Sequence, residues 1–497
     1  MINRHKAITT VLVPCLFFGA VLQANSDSLV VAENNRIDLR RAITLALENN
    51  PVLEEAQLNL DIARGQVKEA WSNVLPSVSA SASYSRSIVP QSLFLPGGFA
   101  QAFGDSSSVD VNEQVAVQIG ADNVYAAGVT VSQPIFDFRA FIGVGTSARF
   151  RDLQVEVTRG TTQLVVTQVR TAYLNTLLAG EQVRLTEQSL ERVRQTLKEA
   201  RALNRSGLTS DYDVLRLEVQ ESNLDANLHR ARVLEAASRR NLLVELGLPL
   251  TRELVLEGNL SELDLQDFSN NSPANLVLLE LVGFHGDPDP RLEPVFRDAL
   301  AHRSDLRQIQ LTTSLERARL SAQRSEYFPT MSVFYNHNFT AQQMGAPDLQ
   351  ALSDVAQAEF ALAGVNLEFP LFQGFRRTAR MQQRRAAVNQ SEVRHRRFKQ
   401  LADSQVRTLL SNLQDSHYRA ESQRKAMNQA RRGYEIATAE YRSGVGSQLQ
   451  ITDAEVALRQ AEFNYSSTVY EYLIVRTQLD AATGAVPITL AELGLEK

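Results

Sequence analysis

The chain has 497 residues with 51 Lys and Arg against 56 Asp and Glu, so its formal net charge is −5. That near balance excludes the strong basic bias of a nucleic-acid binder, and 22% charged with 44% hydrophobic residues excludes both a disordered chain and a polytopic helical membrane protein. One cysteine and seven scattered histidines offer no metal-ligand spacing, and neither a phosphate loop nor a nucleophile elbow occurs, so an enzyme, a metal site and a cofactor are not expected.

In chain order, the first feature is a leader. Arg4, His5 and Lys6 precede the apolar run VLVPCLFFGAVL, which is too short to span a bilayer, and LQANS offers Ala24 as a small residue before a cleavage point. Residues 1–24 therefore read as a secretory signal peptide. Cys15 lies inside it, which leaves the mature chain without thiols, and Pro14 in front of that cysteine argues against lipidation. After the leader no apolar run approaches about twenty residues, so no spanning helix is expected.

The remainder is a duplication. ALENNPVLEEAQLNLDIARGQVKEAWSNVLPSV (Ala46 to Val78) aligns without a gap with ALAHRSDLRQIQLTTSLERARLSAQRSEYFPTM (Ala299 to Met331), and GVTVSQPIF (Gly128 to Phe136) with GVNLEFPLF (Gly364 to Phe372). Two glycine-centred breaks, RSGLTSDYDV and RSGVGSQLQI, stand 444 − 207 = 237 residues apart. The predicted parts are a first repeat over 25–246, a connector without clear period over 247–293 that is expected to cross between the halves near their middle as an equatorial region, a second repeat over 294–484 and a tail over 485–497. Each repeat reads helix, Pro, strand pair, Pro, long helix, Gly tip, second helix. The spacing between the prolines is 134 − 76 = 58 in the first repeat and 370 − 329 = 41 in the second, a length difference that marks a surface loop.

After Pro76 the stretch SVSASASYS puts Val78, Ala80, Ala82 and Tyr84 on one face and serines on the other. MSVFYNHNF after Pro329 alternates similarly, with Phe334 breaking its polar side. Strands before Pro134 and Pro370 complete four segments of about ten residues, enough to cross a bilayer within a β-barrel. The competing reading is a pair of amphipathic hairpins on a soluble core.

From about Arg139 and from Arg376 to the tips no proline occurs, and roughly 65 helical residues make a rod of about 100 Å. Val406, Leu409, Leu413, Ser416, Ala420, Gln423, Met427, Ala430, Tyr434, Ala437 and Tyr441 step by three and four, as do Ile451 to Ala482 after the tip. This is coiled-coil spacing, and a left-handed glycine at each tip would let the helices return antiparallel. The basic run from Arg376 to Lys399 reads as a solvated helix face or one near anionic lipid. Four strands cannot close a barrel alone without leaving backbone groups unpaired in lipid, so copies must share one, leaving an axial lumen.

Over nearly all of the mature chain the sequence resembles the TolC family of outer-membrane efflux proteins. The resemblance is carried by DLRRAITLALENNPVLEEA, the LPSV and FPTM segments, QPIFDF and FPLFQGF, and the tips RSGLTSDYDV and YRSGVGSQLQITDAEVAL. It implies a mainly α protein with membrane β: a homotrimer in the outer membrane of a Gram-negative bacterium, each chain giving four strands to a twelve-stranded barrel and long coiled-coil helices to a periplasmic α-barrel. It further implies a passive conduit served by a periplasmic adaptor and an inner-membrane transporter. By resemblance, adaptor docking falls on Arg205, Ser206, Gly207 and Leu208 and on Arg442, Ser443, Gly444 and Val445. The periplasmic gate falls on Asp213 linked to Tyr441, with Asp453 in an acidic ring. Gln450 stands where another ring aspartate is usual, and Gly446 replaces an arginine that helps hold the gate shut, which puts the closed-state lock in doubt. Solvated surface carboxylates remain the alternative for the ring, and a soluble periplasmic coiled-coil scaffold the alternative for the whole.

Overall fold

The computed structural model describes residues 36–89, 91–96, 114–265, 270–284, 292–348 and 356–487. The signal peptide expected over 1–24 and all but the first three residues of the expected tail lie outside these.

Helix α1 (Leu39–Asn49) starts at Asp38, whose carboxylate accepts from the Arg41 amide at 2.8 Å, and buries Leu39, Ala42, Ile43 and Ala46. Asn50 then caps α2 (Pro51–Ser72), with Pro51 at its first turn where a missing N–H costs nothing. Strand β1 (Arg36–Ile37) precedes these helices. Beyond Pro76 the chain forms β2 (Ser77–Arg86), β3 (Gln91–Pro96), β4 (Gln114–Ile119) and β5 (Asn123–Phe136). The antiparallel β3–β4 pair falls in the longer interval, where sequence reading expected only a loop.

Helix α3 (Phe138–Arg205) runs 68 residues and α4 (Asp211–Glu245) returns over 35. The connector holds β6 (Val255–Leu256), a 3-10 turn (Leu260–Glu262) and α5 (Pro273–Leu281). The second half repeats the pattern with α6 (Leu292–His302), α7 (Ser304–Ser325), β7 (Thr330–Gln343), β8 (Ala356–Glu368), α8 (Arg376–Arg442, 67 residues) and α9 (Gln448–Thr483, 36 residues). At 1.5 Å per residue α3 and α8 are each about 100 Å long.

Strands β2, β5, β7 and β8 make one antiparallel sheet in that order, so the hairpins of the two repeats join along β5 and β7. Ser77 pairs with Ser132, Ser132 with Phe334 and Phe334 with Gly364, whereas Val78 pairs with Val131, Val131 with Tyr335 and Tyr335 with Ala363. The two faces thus continue across all four strands, one carrying the serines of β2 and the asparagines of β7 and the other mostly apolar, although Phe360 and Leu362 of β8 fall on the serine side. Phe334, the residue that breaks the polar pattern, lies over Gly364, where a Cβ would come within 2.8 Å of its ring. The strands run to 10, 14, 14 and 13 residues, longer than expected for three of them because pairing continues past the alternating segments.

The coiled-coil seam is as read: Val406, Leu409, Leu413, Ser416, Ala420, Met427, Ala437 and Tyr441 on α8 are buried, as are Ile451, Leu458, Tyr465, Tyr472 and Leu479 on α9. In the first hairpin Val183, Leu190, Val193 and Leu197 meet Leu217, Leu224 and Leu228 in a matching seam. No described helix is long and apolar enough to cross a membrane.

The connector packs across the middle of the long helices. β6 pairs in parallel with β1, the Tyr173 hydroxyl donates to the Glu257 carbonyl at 2.5 Å, and the Tyr465 hydroxyl donates to the Leu263 carbonyl at 2.7 Å. Burial pushes the Tyr465 phenol up to about 12, so it stays a donor. Leu254, Leu260, Leu263 and Leu279 join Tyr173, Leu242, Leu413 and Tyr472 in the largest core. Asp264 is paired with Arg424 at 2.5 Å, and Arg476 donates to the Gly283 carbonyl at 2.7 Å. Near the same level Arg170 of α3 and Asp480 of α9 form a buried ion pair at 2.5 Å.

The duplication is closed in the same way twice. Gly247 follows α4 and Gly484 follows α9, again 484 − 247 = 237 apart, and both are left-handed. A Cβ on Gly247 would lie 2.2 Å from the Asn49 carbonyl, and one on Gly484 2.5 Å from the His302 carbonyl. Each glycine therefore seats the end of a returning helix against the junction of the two short helices of its own repeat.

Candidate functional site at the two helix tips

The tips follow from local chain chemistry. At the end of α3 the Gly207 amide bonds the Asn204 carbonyl at 2.9 Å and the Leu208 amide the Leu203 carbonyl at 3.0 Å. At the end of α8 the Gly444 amide bonds Tyr441 at 3.1 Å and the Val445 amide bonds Glu440 at 3.0 Å. Both are Schellman caps, which need a left-handed residue after the helix, and Gly207 (φ 73°) and Gly444 (φ 78°) supply it. Arg205 and Arg442 are the last helical residues of α3 and α8. Ser206 and Ser443 turn their hydroxyls back onto the carbonyls of Ala202 and Glu440.

The next residues are Leu208 and Val445, 75% and 84% exposed. A Schellman cap usually packs this position back on its helix, yet both face outward, and the exposed Tyr212 and Leu449 stand four residues beyond them. Two equivalent apolar knobs therefore project at matched places in the duplication.

The residues expected at the gate lie at the two helix starts, on the facing helix end and one turn along α9. Ser210 and Asp213 form a capping box on α4, and Ser447 and Gln450 form one on α9. Asp213 accepts from the Ser210 hydroxyl at 2.9 Å and the Thr209 hydroxyl at 3.2 Å, and Gln450 accepts from the Ser447 amide at 2.8 Å. These positions are also 237 apart, and each satisfies amides that a helix start leaves bare. The spacing Ser-x-x-Asp and Ser-x-x-Gln was visible in the sequence and signals this role. Tyr441 is buried, and its hydroxyl has no hydrogen-bond partner among the described residues. Burial first, then the negative charges of Asp213 and Glu199, raise its pKa, so Asp213 acts on Tyr441 through its field, with no hydrogen bond between them. An ion pair between Arg442 and Glu199 at 3.1 Å joins the two hairpins near their tips. Asp453 is exposed on α9, one turn past the capping box. Gly446 has no room for a side chain, because a Cβ would come within 2.9 Å of the Tyr441 amide and 3.0 Å of Glu440.

Deeper along the rod, α3 meets α9 through a polar seam that sequence reading passed over. Ser189 donates to Glu455, Arg192 sits 3.3 Å from Glu455 and 3.8 Å from Glu462, and Arg431 lies 3.4 Å from Glu462. Glu181 pairs with Arg184 at 2.5 Å, and the Ser466 hydroxyl stands 3.4 Å from Glu181. Glu455 and Glu462 are buried, seven residues apart, each beside a seam position of α9. That offset, one step from a heptad seam, was the available signal for a second packing face. Along this stretch the two hairpins meet through ion pairs and hydrogen bonds, whereas at the level of the connector they share the largest apolar core.

Residues 42–247 and 295–485 match the outer membrane efflux protein family, so the match covers both repeats and omits the connector. The chain is similar to the outer membrane protein TolC of Escherichia coli, at 21% identity over 468 residues, 93% of this chain and 84% of that protein. It is 23% identical over 428 residues to the probable efflux pump outer membrane protein TtgC of Pseudomonas putida, 85% of this chain and 78% of that one. Among solved structures, the outer membrane channel CmeC of Campylobacter jejuni superposes with a TM-score of 0.69 at 15% identity, over 90% of this chain and 86% of that one. Two duplicated halves, one four-stranded sheet and two long helical hairpins agree with those matches, and the chain belongs to the outer membrane efflux protein family.

Proposed function

We propose that three copies of this chain close one twelve-stranded barrel in the outer membrane, continue it as a helical tube through the periplasm, and receive a periplasmic adaptor and its inner-membrane pump at the helix tips. The family is one of trimeric outer-membrane channels that work with such partners. What supports the docking role in this chain is the pair of matched, exposed apolar knobs, Leu208 with Tyr212 and Val445 with Leu449, presented on two Schellman turns of the same geometry. Apolar side chains held outward at both tips favour a protein partner over water. A soluble scaffold is disfavoured by the sheet, since it would leave Val78, Val129, Val365 and Leu367 uncovered on one face.

Gly444→Val tests the docking role. The tip has open space for the side chain but a φ of 78°, which costs a β-branched residue roughly 1–2 kcal/mol locally and displaces Val445. Efflux of a preloaded dye from cells lacking their own channel should fall at least several-fold while the trimer extracted in detergent remains intact. Export at the unsubstituted rate would remove the tips from the docking surface.

The gate proposal narrows to the exposed Asp453, with Asp213 and Gln450 holding the helix starts rigid and Tyr441 buried beside Asp213. Three Asp453 carboxylates around the axis would attract cations. In planar bilayers, divalent cations on the periplasmic side should block conductance, and Asp453→Asn should relieve the block at least ten-fold in concentration. Block that persists undiminished in the variant would leave Asp453 as an ordinary surface carboxylate.

A further inference from the structure

We propose that Arg86 of one copy pairs across the subunit seam with Glu359 of the next, in a cluster that His337 holds in place and that sets the register in which the barrel closes. The inference rests on the three-copy reading above. Its starting point is a chemical anomaly on the apolar face of the sheet. Besides tyrosine, the four strands carry four ionisable side chains, Arg86, His337, Glu359 and Glu368. Glu368 lies on the polar face, paired with Thr330, whereas the other three share the face of Val129, Tyr335 and Val365. His337 Nε2 and Glu359 Oε1 are 2.7 Å apart, and Glu359 has no second partner among the described residues. Arg86 is exposed on the edge strand and has no ion-pair partner among the described residues. Arg86 is the last residue of its strand and lies in the end row of the sheet with Asn123 and Gln343, where a charge is tolerated and a partner across the seam is within reach of solvent.

Strands β2 and β8 are the two open edges, so closure brings β8 of one copy against β2 of the next. The row that starts at Ser77 crosses Ser132 and Phe334 and reaches β8 at Gly364, four residues short of its base at Glu368 (368 − 364 = 4). The whole offset arises between β2 and β5, since β5, β7 and β8 each stand four residues from their bases in this row (136 − 132, 334 − 330 and 368 − 364), and its direction gives the sense of the tilt. With strands about 4.8 Å apart, a rise of about 3.3 Å per residue and a tilt of roughly 35–45°, four steps shift the register by about four to six residues. Ser77 of the neighbouring copy then lies opposite residue 368 or 370, because the odd shift between them would mix the polar and apolar faces. Nine residues up, Arg86 falls opposite Glu359 (368 − 9) or Ala361 (370 − 9), on their face in either case. Ala361 is itself the register partner of His337. A drift in the opposite sense would leave the lower half of β8 unpaired.

The cluster supplies what the hydrophobic pattern of β2 lacks. SVSASASYS repeats every two residues, so a slip of two sets serine on serine rows and small apolar residues on apolar rows without mixing the faces. Only a feature that does not repeat can resist that slip, and Arg86 is the sole charge on the strand.

Cysteine pairs in the full-length chain read the register directly, since Cys15 is the sole native cysteine and lies in the leader. Directly opposed antiparallel residues hold their Cβ atoms about 4.5–5.5 Å apart. On oxidation in isolated outer membranes, Arg86→Cys with Glu359→Cys, or Arg86→Cys with Ala361→Cys, should give covalent dimers and trimers on non-reducing gels, at least ten-fold above Val78→Cys with Glu359→Cys. Absence of cross-linking in both pairs, from protein that is trimeric by native mass, would overturn the register while sparing the three-copy reading. Monomeric native mass would overturn both. As a second measurement, Arg86→Glu and Glu359→Arg should each weaken the heat resistance of the detergent-stable trimer, and the exchanged double variant should recover at least half of the loss. Singles that match the parent trimer would show Arg86 facing anionic lipid headgroups and would overturn the pairing.

Discussion

Replacing Arg170 with Ala is expected to lower the stability of the extracted protein by about 3–5 kcal/mol, because it strands the Asp480 carboxylate in the core. The two side chains are 1% and 8% exposed. Burial pulls the Arg170 guanidinium below its ordinary range and the adjacent Asp480 opposes that pull, so each charge is tolerated only by virtue of the other. The pair ties the middle of α3 to the end of α9, and Asp480 also fills the space over Gly283, where a Cβ would come within 3.0 Å of it. Asp480→Ala should be equally damaging, since the guanidinium already has one N–H, on Nε, without an acceptor among the described residues. The double variant Arg170→Met with Asp480→Leu removes both charges while keeping volume, and should recover most of the loss. Denaturant unfolding followed by far-ultraviolet circular dichroism checks all three. A double variant as unstable as the singles would show that packing around these side chains, rather than their charge, holds the core.

The second large effect is expected at Gly247 and Gly484. Alanine at either has to adopt a φ of 68° or 74° and also push a carbonyl oxygen from 2.2 Å or 2.5 Å to normal contact. The left-handed backbone costs roughly 1–2 kcal/mol and the displaced helix junction roughly 1–3 kcal/mol more, so each substitution should cost about 2–5 kcal/mol. Gly180 in α3 is the control: a Cβ there meets nothing within 4 Å, and alanine in a helix interior is favoured over glycine by roughly 0.5–1 kcal/mol. Steady-state amounts of trimer in the outer membrane should fall sharply for Gly247→Ala and Gly484→Ala and hold or rise for Gly180→Ala. Similar amounts for all three would mean that the junctions yield at little cost.

The equivalence of Gly247 and Gly484 bears on how much of this protein was legible in its sequence. Both glycines keep the 237-residue offset that the sequence shows at the tips, as do Ser210 with Ser447 and Asp213 with Gln450, so the structure extends that duplication to the caps and to the ends of the returning helices. Asp213 and Gln450, which the resemblance places at the gate, also carry a local capping signal, Ser-x-x-Asp and Ser-x-x-Gln, and the structure shows both capping boxes formed. Glu455 and Glu462 are not legible in the sequence for a physical reason. A carboxylate on a long helix looks like any solvated charge until the helix that covers it is known, and the cover here, α3, lies more than 250 residues earlier in the chain.

What the sequence by itself determined is what depends on neighbours within a few residues: the helical seams of α8 and α9, the alternation of β2 and its counterparts, the prolines where one period gives way to the other, and the left-handed glycines at Gly207 and Gly444. Periodicity is a property of the backbone repeat, so it survives without knowledge of the partner. The tertiary structure alone decided who the partners are: β5 against β7, Arg170 with Asp480, and the polar seam between the hairpins. Those choices depend on which distant surfaces exclude water together, and nothing within a short stretch of chain records that.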